Sequence, residues 1–398
     1  MRRFFLFIVV LALVGAGAFY GEQWNFFRPG PPAPKGNGTV VLINPGEHSA
    51  TIAASLQNAG VIRNAGLFRL GARLRGEQSA LKAGEYAIPS GASMADVMGI
   101  LIAGKSIEHK LTAAEGLTSD MIYELVVKDP VLTGSAGPEP AEGSLLPETY
   151  VFTREMTRAH MLALMHQAQG KLIAKLWPSR AANLPFRTPE QAVTLASIVE
   201  KETAIPDERP HIAAVFINRL RLGMKLQSDP TIIYGITRGY PLGRGIRESE
   251  LEAATPYNTY VIDGLPPTPI CNPGKASIAA VLQPEKSDDL YFVANGSGGH
   301  VFTASISEHE KNVARWRHIE QATRASQSAG PAPEPNSSVA LRGSTGGNGS
   351  QPDAATTTVV TPVPGVARAA TPVTMAAPVA GGSAATRHRA RHHRRHRR

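Results

Sequence analysis

Residues 195–235 of this 398-residue chain read LASIVEKETAIPDERPHIAAVFINRLRLGMKLQSDPTIIYG, and they place two glutamates, Glu200 and Glu202, at the end of an apolar helical pattern. Apolar residues precede them at the spacing of a core-facing helix stripe, at positions 192, 195, 196 and 199. A carboxyl held against apolar side chains loses solvation, which raises its pKa. Such a group can stay protonated near neutral pH and donate its proton to a leaving oxygen. The stretch therefore predicts general-acid chemistry.

The helical spacing does not choose between the two glutamates. Glu200 lies one turn from Ala196, at the margin of the apolar stripe, whereas Glu202 lies one turn from Ile198 and is at least as close to apolar neighbours. The alternative is that both are ordinary surface glutamates on either side of Lys201, because glutamate is usually exposed. The residues alone therefore predict that one of Glu200 and Glu202 is the acid, without indicating which.

A second helix and a polar loop follow the glutamates. The residues at 207–210 predict the start of a helix that carries Asn218 and Arg219 and ends near Gly223. The loop after it reads QSDPT and contains Gln227, Ser228, Asp229 and Thr231. Amide, hydroxyl and carboxylate groups on a loop suit the hydroxyl and acetamido groups of an amino sugar. For Ser228 and Asp229 the alternative is simple helix capping, which uses the same residue types.

Further along, two aromatic residues surround two smaller polar ones. Tyr257, Asn258, Thr259 and Tyr260 follow one another in the chain. Aromatic faces that pack against sugar rings would explain this mixture, and a role in core packing would explain it as well.

Five sequence blocks, in this order, resemble the endolytic murein transglycosylases of the YceG-like family. They are SIVEKET, FINRLRLGMKLQSDPTIIYG, TPYNTY, GLPPTPI and LYFVANGSGGHVF. The resemblance covers roughly residues 39–322. It departs from the family in three places: the sequence after Ser326 has no counterpart, Cys271 occupies a turn position that the pattern does not demand, and the first domain matches loosely.

The resemblance, rather than the helical spacing, selects Glu200 as the catalytic acid. It implies cleavage of the β-1,4 bond between N-acetylmuramic acid and N-acetylglucosamine in nascent peptidoglycan, with 1,6-anhydro ends and no metal or organic cofactor. One open alternative is a hydrolytic muramidase that uses Asp229 or Glu202 as a second carboxylate. The other is a membrane-tethered glycan-binding scaffold without catalysis. The expected substrate-binding residues are Glu202, Asn218, Arg219, Gln227, Ser228, Asp229, Thr231, Tyr257, Asn258 and Tyr260.

The N-terminus has the pattern of a membrane anchor. Phe4 to Tyr20 is an uncharged run of 17 residues that follows Arg2 and Arg3. As a helix this run would span about 25 Å, just short of a hydrocarbon core. The arginine pair would stay in the cytoplasm and direct the rest of the chain outward. Together with the resemblance, this predicts a single-pass inner-membrane protein with a periplasmic catalytic domain. The small residues around Gly15 leave a cleaved signal peptide as the alternative.

The charge and the cysteine content exclude several other classes of protein. Most of the formal net charge of +9 comes from RHRARHHRRHRR at 387–398, so the basic signal belongs to a tail and nucleic acid is not an expected partner. With Cys271 as the only cysteine, no intramolecular disulfide can form. HExxH, GxSxG and Walker motifs are absent. The expected partners are peptidoglycan strands, the inner membrane and, from the resemblance, peptidoglycan synthases.

Composition and periodicity predict an α+β chain in five parts. These are a transmembrane anchor at 1–21, a Pro/Gly-rich linker at 22–38, a small β-α-α-β domain at 39–110, a larger mixed α/β domain at 111–326, and a disordered tail at 327–398. The resemblance implies that the domain at 39–110 is LysM-like and that the domain at 111–326 is catalytic. Within the catalytic domain, Thr188 and Pro189 predict a helix start, and the strands LYFVA and HVF around NGSGG predict a hairpin. A capping-box pattern at 307–310 predicts the start of a last helix that runs to about 322.

Overall fold

The computed structural model describes residues 2–328, and the chain divides into two compact units. Unit 1 comprises residues 1–178 and 271–275, and unit 2 comprises residues 179–270 and 276–398. The helices of unit 1 are α1 (Arg2–Phe27), α2 (Ser49–Asn58), α3 (Ala65–Leu74), α4 (Met94–Ala103), α5 (Ser119–Lys128) and α6 (Arg158–Leu176). Its strands are β1 (Gly38–Ile43), β2 (Gly84–Pro89), β3 (His109–Thr112) and β4 (Thr149–Phe152). The chain therefore has the mixed α and β composition that the sequence predicts.

The remaining elements belong to unit 2, except that the first residue of α11 is grouped with unit 1. They are α7 (Pro189–Glu202), α8 (Arg209–Arg221), α9 (Asp229–Thr237), α10 (Glu248–Glu252), α11 (Lys275–Leu282), β5 (Tyr291–Ala294), β6 (His300–Thr303) and α12 (Ile306–Ser328). A short 3-10 turn at Pro206–Glu208 leads into α8. The strands β5 and β6 form the antiparallel hairpin that the sequence predicts around its glycine-rich turn.

The first module of unit 1 runs from β1 to α4, and it packs α2, α3 and α4 around the antiparallel sheet of β1 and β2. In this sheet Val41 of β1 lies opposite Tyr86 of β2. The Tyr86 ring is fully buried, and its hydroxyl donates to the backbone oxygens of Lys82 and Ala83, so the buried ring keeps a hydrogen-bonded polar end. One apolar core joins residues from Phe26 to Leu101, and a second core in the same unit joins residues from Leu111 to Met165.

The helix that begins as the predicted anchor continues six residues beyond it. α1 ends at Phe27, inside the segment predicted as a linker, because the sequence from Glu22 to Phe27 contains neither proline nor glycine. The Phe26 side chain is only 1% exposed and stacks on Phe68 of α3 at a ring distance of 6.5 Å. The helical end is therefore part of the first core, and the non-helical connection starts after it.

A short strap from a distant part of the chain belongs to unit 1. It comprises Cys271–Lys275, and both Cys271 and Asn272 are fully buried. The Asn272 side chain accepts from the backbone N–H of Leu145 at 2.9 Å and donates to the backbone oxygen of Leu117 at 3.1 Å. Asn272 thereby satisfies backbone groups of two other segments of unit 1, rather than capping α11 as its position before Pro273 suggests.

The predicted start and end of the last helix are both wrong, and most of the predicted tail lies outside the residues that the structure describes. The last helix begins at Ile306, and the N–H of His309 bonds the oxygen of Ser305, so the pattern at 307–310 lies within the first turn. The same helix runs to Ser328 rather than to about 322. Of the predicted tail at 327–398, residues 329–398 lie outside the described residues. The division into units falls at Pro178, inside the predicted 111–326 domain, so the predicted domain boundaries stay predictions.

We expect Gly71→Ala to destabilise unit 1 by about 1–3 kcal/mol, as overpacking of a filled core does. A Cβ at position 71 would lie 2.3 Å from the buried Phe26 ring. Urea unfolding of the full chain in detergent, followed by circular dichroism, measures the change. Gly99→Ala on α4 is the matched control, since a Cβ there meets nothing within 4 Å and alanine is the better helix former. Equal effects of the two substitutions would contradict this packing.

Candidate active site

Helix α7 carries both glutamates at its C-terminal end. Thr188 and Gln191 form a capping box at its start, and every residue from Ala192 to Val199 is buried. The Ser197 hydroxyl donates to the backbone oxygen of Thr194 and accepts from the N–H of Ile270 at 2.9 Å. A helix buried all round has little freedom to shift, so its last turn is held in place for the two carboxyls.

Glu200 forms an ion pair. Its Oε1 lies 3.3 Å from Nη2 of Arg209, the first residue of α8. The side chain of Glu200 is 5% exposed and that of Arg209 is 10% exposed, so water screens this pair little. The ion pair therefore fixes the position of the Glu200 carboxyl at the end of α7.

Glu202 has a different environment. The pKa of its carboxyl is raised to about 8, mainly by burial. The nearby charge of Asp229 contributes to this rise, whereas the Ser228 hydroxyl and the charge of Arg219 oppose it. The Ser228 Oγ donates to Glu202 Oε1 at 2.5 Å. Of the two glutamates, Glu202 is the one placed where a carboxyl keeps its proton at neutral pH.

A hydroxyl network positions Ser228. Its N–H donates to Thr259 Oγ1 at 2.9 Å, and its backbone oxygen accepts from Thr231 Oγ1 at 2.6 Å. The Thr231 and Thr259 hydroxyls are 2.9 Å apart. Ser228 stands at the N-cap position of α9 but makes no side-chain capping bond there, because its hydroxyl is bonded to Glu202. For Ser228 the capping alternative is therefore wrong.

A strained backbone position precedes Ser228. Gln227 adopts φ = 56°, in the left-handed region that non-glycine residues rarely occupy. Its side chain accepts from Arg219 Nη1 at 3.0 Å, and its N–H donates to the oxygen of Thr259 at 3.1 Å. These bonds hold the turn that aims Ser228 at Glu202.

Asp229 and Tyr260 form a second, half-buried pair close to Glu202. The Tyr260 hydroxyl donates to Asp229 Oδ1 at 2.6 Å. Burial raises the pKa of Asp229 although this hydrogen bond opposes the rise. Burial also raises the pKa of Tyr260, and the neighbouring Asp229 adds to the rise, so Tyr260 stays a neutral donor. Two acids with raised pKa values therefore share one site.

Arg219 and Asn218 both donate to backbone oxygens. Arg219 is fully buried, and its guanidinium donates to the backbone oxygens of Leu290, Lys225 and Leu226. Burial lowers the pKa of Arg219 to about 10. Asn218 is half-buried and donates to the backbone oxygens of Ser287 and Asp289. These bonds fix the segments around α8, and the expected role of Arg219 and Asn218 in substrate binding stays a prediction.

The residues 257–260 supply mostly internal contacts. Asn258 is fully buried and donates to the backbone oxygens of Glu250, Leu251 and Ala253. The Tyr257 ring packs on Tyr234 at 4.9 Å, and its hydroxyl lies 2.7 Å from Thr268 Oγ1. Asn258 therefore shapes the loop that presents Tyr260, and the packing alternative is the better description of Tyr257.

Two features of the site were not found from the sequence. The first is Arg209, which lies nine residues after its partner Glu200, across a turn. In the sequence it is visible as an arginine at the start of the helix that follows the two glutamates. Glu208 accepts from the N–H of His300 at 2.8 Å and lies 2.7 Å from its Nδ1. Burial alone would raise the pKa of Glu208, but these bonds outweigh it and the pKa is lowered. The pair ties the turn after α7 to β6.

Comparison with known proteins identifies the family of the chain. The model of the YceG-like family matches residues 41–315. The chain belongs to the YceG-like family. An endolytic murein transglycosylase of Streptococcus pneumoniae (strain D39) is 30% identical over 358 residues, which cover 77% of this chain. The one from Bacillus subtilis (strain 168) is 30% identical over 332 residues, which cover 75% of this chain and 89% of that protein.

The match spans 64% of the length of the pneumococcal relative. A crystal structure of a yceG-like protein from Listeria monocytogenes has 30% sequence identity and a TM-score of 0.43, and the match covers 70% of this chain and 99% of that one.

We expect the stability of this YceG-like protein to fall with rising pH through Glu202. Its pKa is about 8 in the folded chain against an ordinary 4.5, so the folded state binds this proton more tightly. The resulting stabilisation is complete below about pH 4.5 and is lost as the pH rises through about 8. The unfolding free energy of the wild type, relative to that of Glu202→Gln, should drop by about 2–4 kcal/mol over that interval.

Urea unfolding of both chains in detergent at intervals from pH 5 to pH 9 measures this difference. Glu190→Gln is the matched control, because Glu190 is exposed at the other end of α7 and should follow the wild type. A constant difference between wild type and Glu202→Gln across the range would show that Glu202 has no raised pKa.

Proposed function

We propose that this protein is an endolytic murein transglycosylase that cuts the β-1,4 bond between N-acetylmuramic acid and N-acetylglucosamine and leaves a 1,6-anhydro end. The observation that carries the proposal is the Glu202 carboxyl, whose pKa burial raises to about 8 at the end of α7. Two relatives also support the proposal, because the proteins of Streptococcus pneumoniae and Bacillus subtilis are both named endolytic murein transglycosylases.

In the reaction we propose, the protonated Glu202 gives its proton to the oxygen that leaves with N-acetylglucosamine, and the bond from that oxygen to C1 of the muramic acid breaks. The Glu202 carboxylate then takes the proton of the C6 hydroxyl of the same muramic acid, and the C6 oxygen bonds C1. Glu202 ends protonated, as it began, and no water is consumed. Because the attacking hydroxyl is tethered to the reacting sugar, much of the entropic cost of bringing two reactants together is absent.

The contacts of the two glutamates favour Glu202 over Glu200 as the acid. Glu200 is engaged in an ion pair with Arg209, whereas Glu202 accepts from the Ser228 hydroxyl and burial raises its pKa to about 8, where it can donate a proton at neutral pH. The assignment of Glu200 through the sequence resemblance stays a prediction, and the geometry supports the other member of the pair. In this proposal Glu200 orients Arg209 and the turn after α7.

Ser228, Asp229 and Tyr260 have supporting roles in the proposal. Ser228 fixes the Glu202 carboxyl through the bond from its hydroxyl. Asp229 raises the pKa of Glu202 and, once ionised, is an anion near the position where the sugar develops positive charge. Most glycoside hydrolases need two carboxylates in order to activate water, whereas intramolecular closure needs one that acts twice.

We further propose that α1 anchors the chain in the inner membrane with the catalytic part in the periplasm. Among residues 2–328, α1 is the one helix with the length and apolar composition of a membrane span. The first module, at 39–110, would contact glycan as a LysM-like domain, and residues 111–326 would form the catalytic domain. Nascent glycan strands are the proposed substrate, and the peptidoglycan synthases that make them are proposed partners.

We expect Glu202→Gln to reduce the release of anhydro-muropeptides from purified sacculi by at least about 1000-fold, because glutamine has no proton to give. Glu200→Gln should retain more activity, with a loss of roughly 10- to 100-fold through the displaced Arg209. Glu190→Gln should leave the rate unchanged. Liquid chromatography with mass spectrometry measures the products of the full chain in detergent. If Glu200→Gln is the inactive variant and Glu202→Gln is active, the assignment of the acid reverses.

The masses of the new glycan ends separate the proposed reaction from its rivals. Hydrolysis adds one water to the product, and ring closure adds none. Water-containing ends would identify a muramidase, with Asp229 as the second carboxylate. Binding to sacculi without any fragment would identify a glycan-binding scaffold.

We expect the rate to fall above about pH 8 as Glu202 loses its proton. Ser228→Ala removes a donor that favours the charged form, so the fall should move about one unit toward higher pH, and Ser228→Thr should restore it by keeping a hydroxyl. The pH profile of kcat/KM on defined glycan strands measures the shift. A profile that Ser228→Ala leaves in place would exclude Glu202 as the group that titrates.

A further inference from the structure

Four large apolar side chains are exposed at the end of α1 and on α3 of unit 1. Trp24 and Phe27 on the last turn of α1 are 74% and 59% exposed. Leu70 and Leu74 on α3 are 43% and 57% exposed. Exposed apolar groups on two helices that pack on each other mark a surface that contacts another apolar phase.

Helix α3 presents two unlike faces. Its inner face carries Phe68, Gly71 and Ala72, which are buried in the first core. Its outer face carries two arginines and two leucines at helical spacing, at positions 69, 73, 70 and 74, all exposed. From residue 63 to residue 75 the chain has four arginines and no acidic residue. An outer face of leucines with arginines beside them is typical of a helix that lies at an anionic lipid surface.

The packing of α1 on α3 fixes the position of this face along the anchor helix. The Phe26 ring fills the space above Gly71. The Arg75 guanidinium lies 3.9 Å from the centre of the Phe26 ring and 3.4 Å from the buried carboxylate of Glu22. Because α1 is a continuous helix from Arg2 to Phe27, these contacts couple α3 rigidly to the end of the apolar run.

That position coincides with the level of the lipid headgroups. The apolar run ends at Tyr20, and Phe26 lies six residues further, about 9 Å along the helix axis. The polar layer on each side of the hydrocarbon core is about 5–8 Å thick, so α3 packs on α1 where that layer meets water. Trp24 is an aromatic residue of the kind that settles in the layer itself.

We propose that the outer face of α3, together with Trp24 and Phe27, rests on the anionic phospholipid headgroups of the membrane that α1 spans. The proposal rests on the membrane anchoring proposed above. Leu70 and Leu74 enter the headgroup layer, and Arg69 and Arg73 bind lipid phosphates. The first module of unit 1 is then held at the bilayer by two helices, which removes its freedom to swing about a single anchor.

Spin-label accessibility in the full chain tests this seating. Nitroxide labels are placed singly at Leu74→Cys, Leu11→Cys and Val151→Cys in a Cys271→Ala background, and each chain is reconstituted in vesicles of phosphatidylglycerol and phosphatidylcholine. Val151 is the matched control, because it is 48% exposed on β4, outside the first module. We expect the label at position 74 to collide more with oxygen than with a water-soluble nickel chelate, and the label at 151 to do the opposite.

The label at position 11 separates failure of this inference from failure of the anchor. A label at 11 in the hydrocarbon with a label at 74 as accessible to the nickel chelate as that at 151 would overturn the seating and leave the anchor intact. A label at 11 in water would overturn both. In vesicles of phosphatidylcholine alone, or with Arg69→Gln and Arg73→Gln combined, we expect the label at 74 to move toward water. An unchanged position in both cases would show that no headgroup charge is bound, and the proposal would fail.

Discussion

The withdrawal of one carboxyl from water is the constraint on which the site depends. Glu202 is placed at the end of a helix whose preceding two turns are buried, so its backbone cannot turn toward solvent without opening the core of unit 2. The Ser228 hydroxyl donates a hydrogen bond to it instead of capping α9. A desolvated acid is costly in a folded chain, and such cost is usual where a proton must be held ready.

The polar groups around this carboxyl come from segments that the helices alone would not bring together. The turn at Gln227 takes up a left-handed conformation, Thr259 fixes both sides of that turn, and Tyr260 of the same loop covers Asp229. Arg219 is buried beneath them, where its guanidinium bonds backbone oxygens from two segments. The site is therefore built on a layer of backbone contacts, so changes to residues that never touch a sugar will still alter the acid.

Much of the fold could be predicted from the sequence because its signals are local. The apolar stripe, Thr188 and Pro189 define α7, and the alternating run around the glycine-rich turn defines β5 and β6. Within the site, the sequence identifies both glutamates and the loop that the structure brings to Glu202 through Ser228. It cannot rank them, since one turn of helix places each near apolar neighbours, and the difference arises from Arg209 and Ser228, which follow across turns. Likewise Asn218 and Arg219 read as ligands because the residue types that bind sugars also bind backbone oxygens.

The strap at Cys271–Lys275 has a consequence for how the chain can be divided. Unit 1 needs Asn272 to satisfy the buried N–H of Leu145, yet this residue arrives only after the whole of residues 179–270 has been synthesised. A chain that ends at Pro178 would leave the Leu145 N–H without its acceptor. A chain that starts at Ser179 would contain the strap but not the backbone groups of Leu145 and Leu117 that Asn272 bonds. The two units are interleaved along the polypeptide, so neither corresponds to one continuous gene fragment, and the first cannot complete its fold on the ribosome before residues 179–270 of the second have emerged.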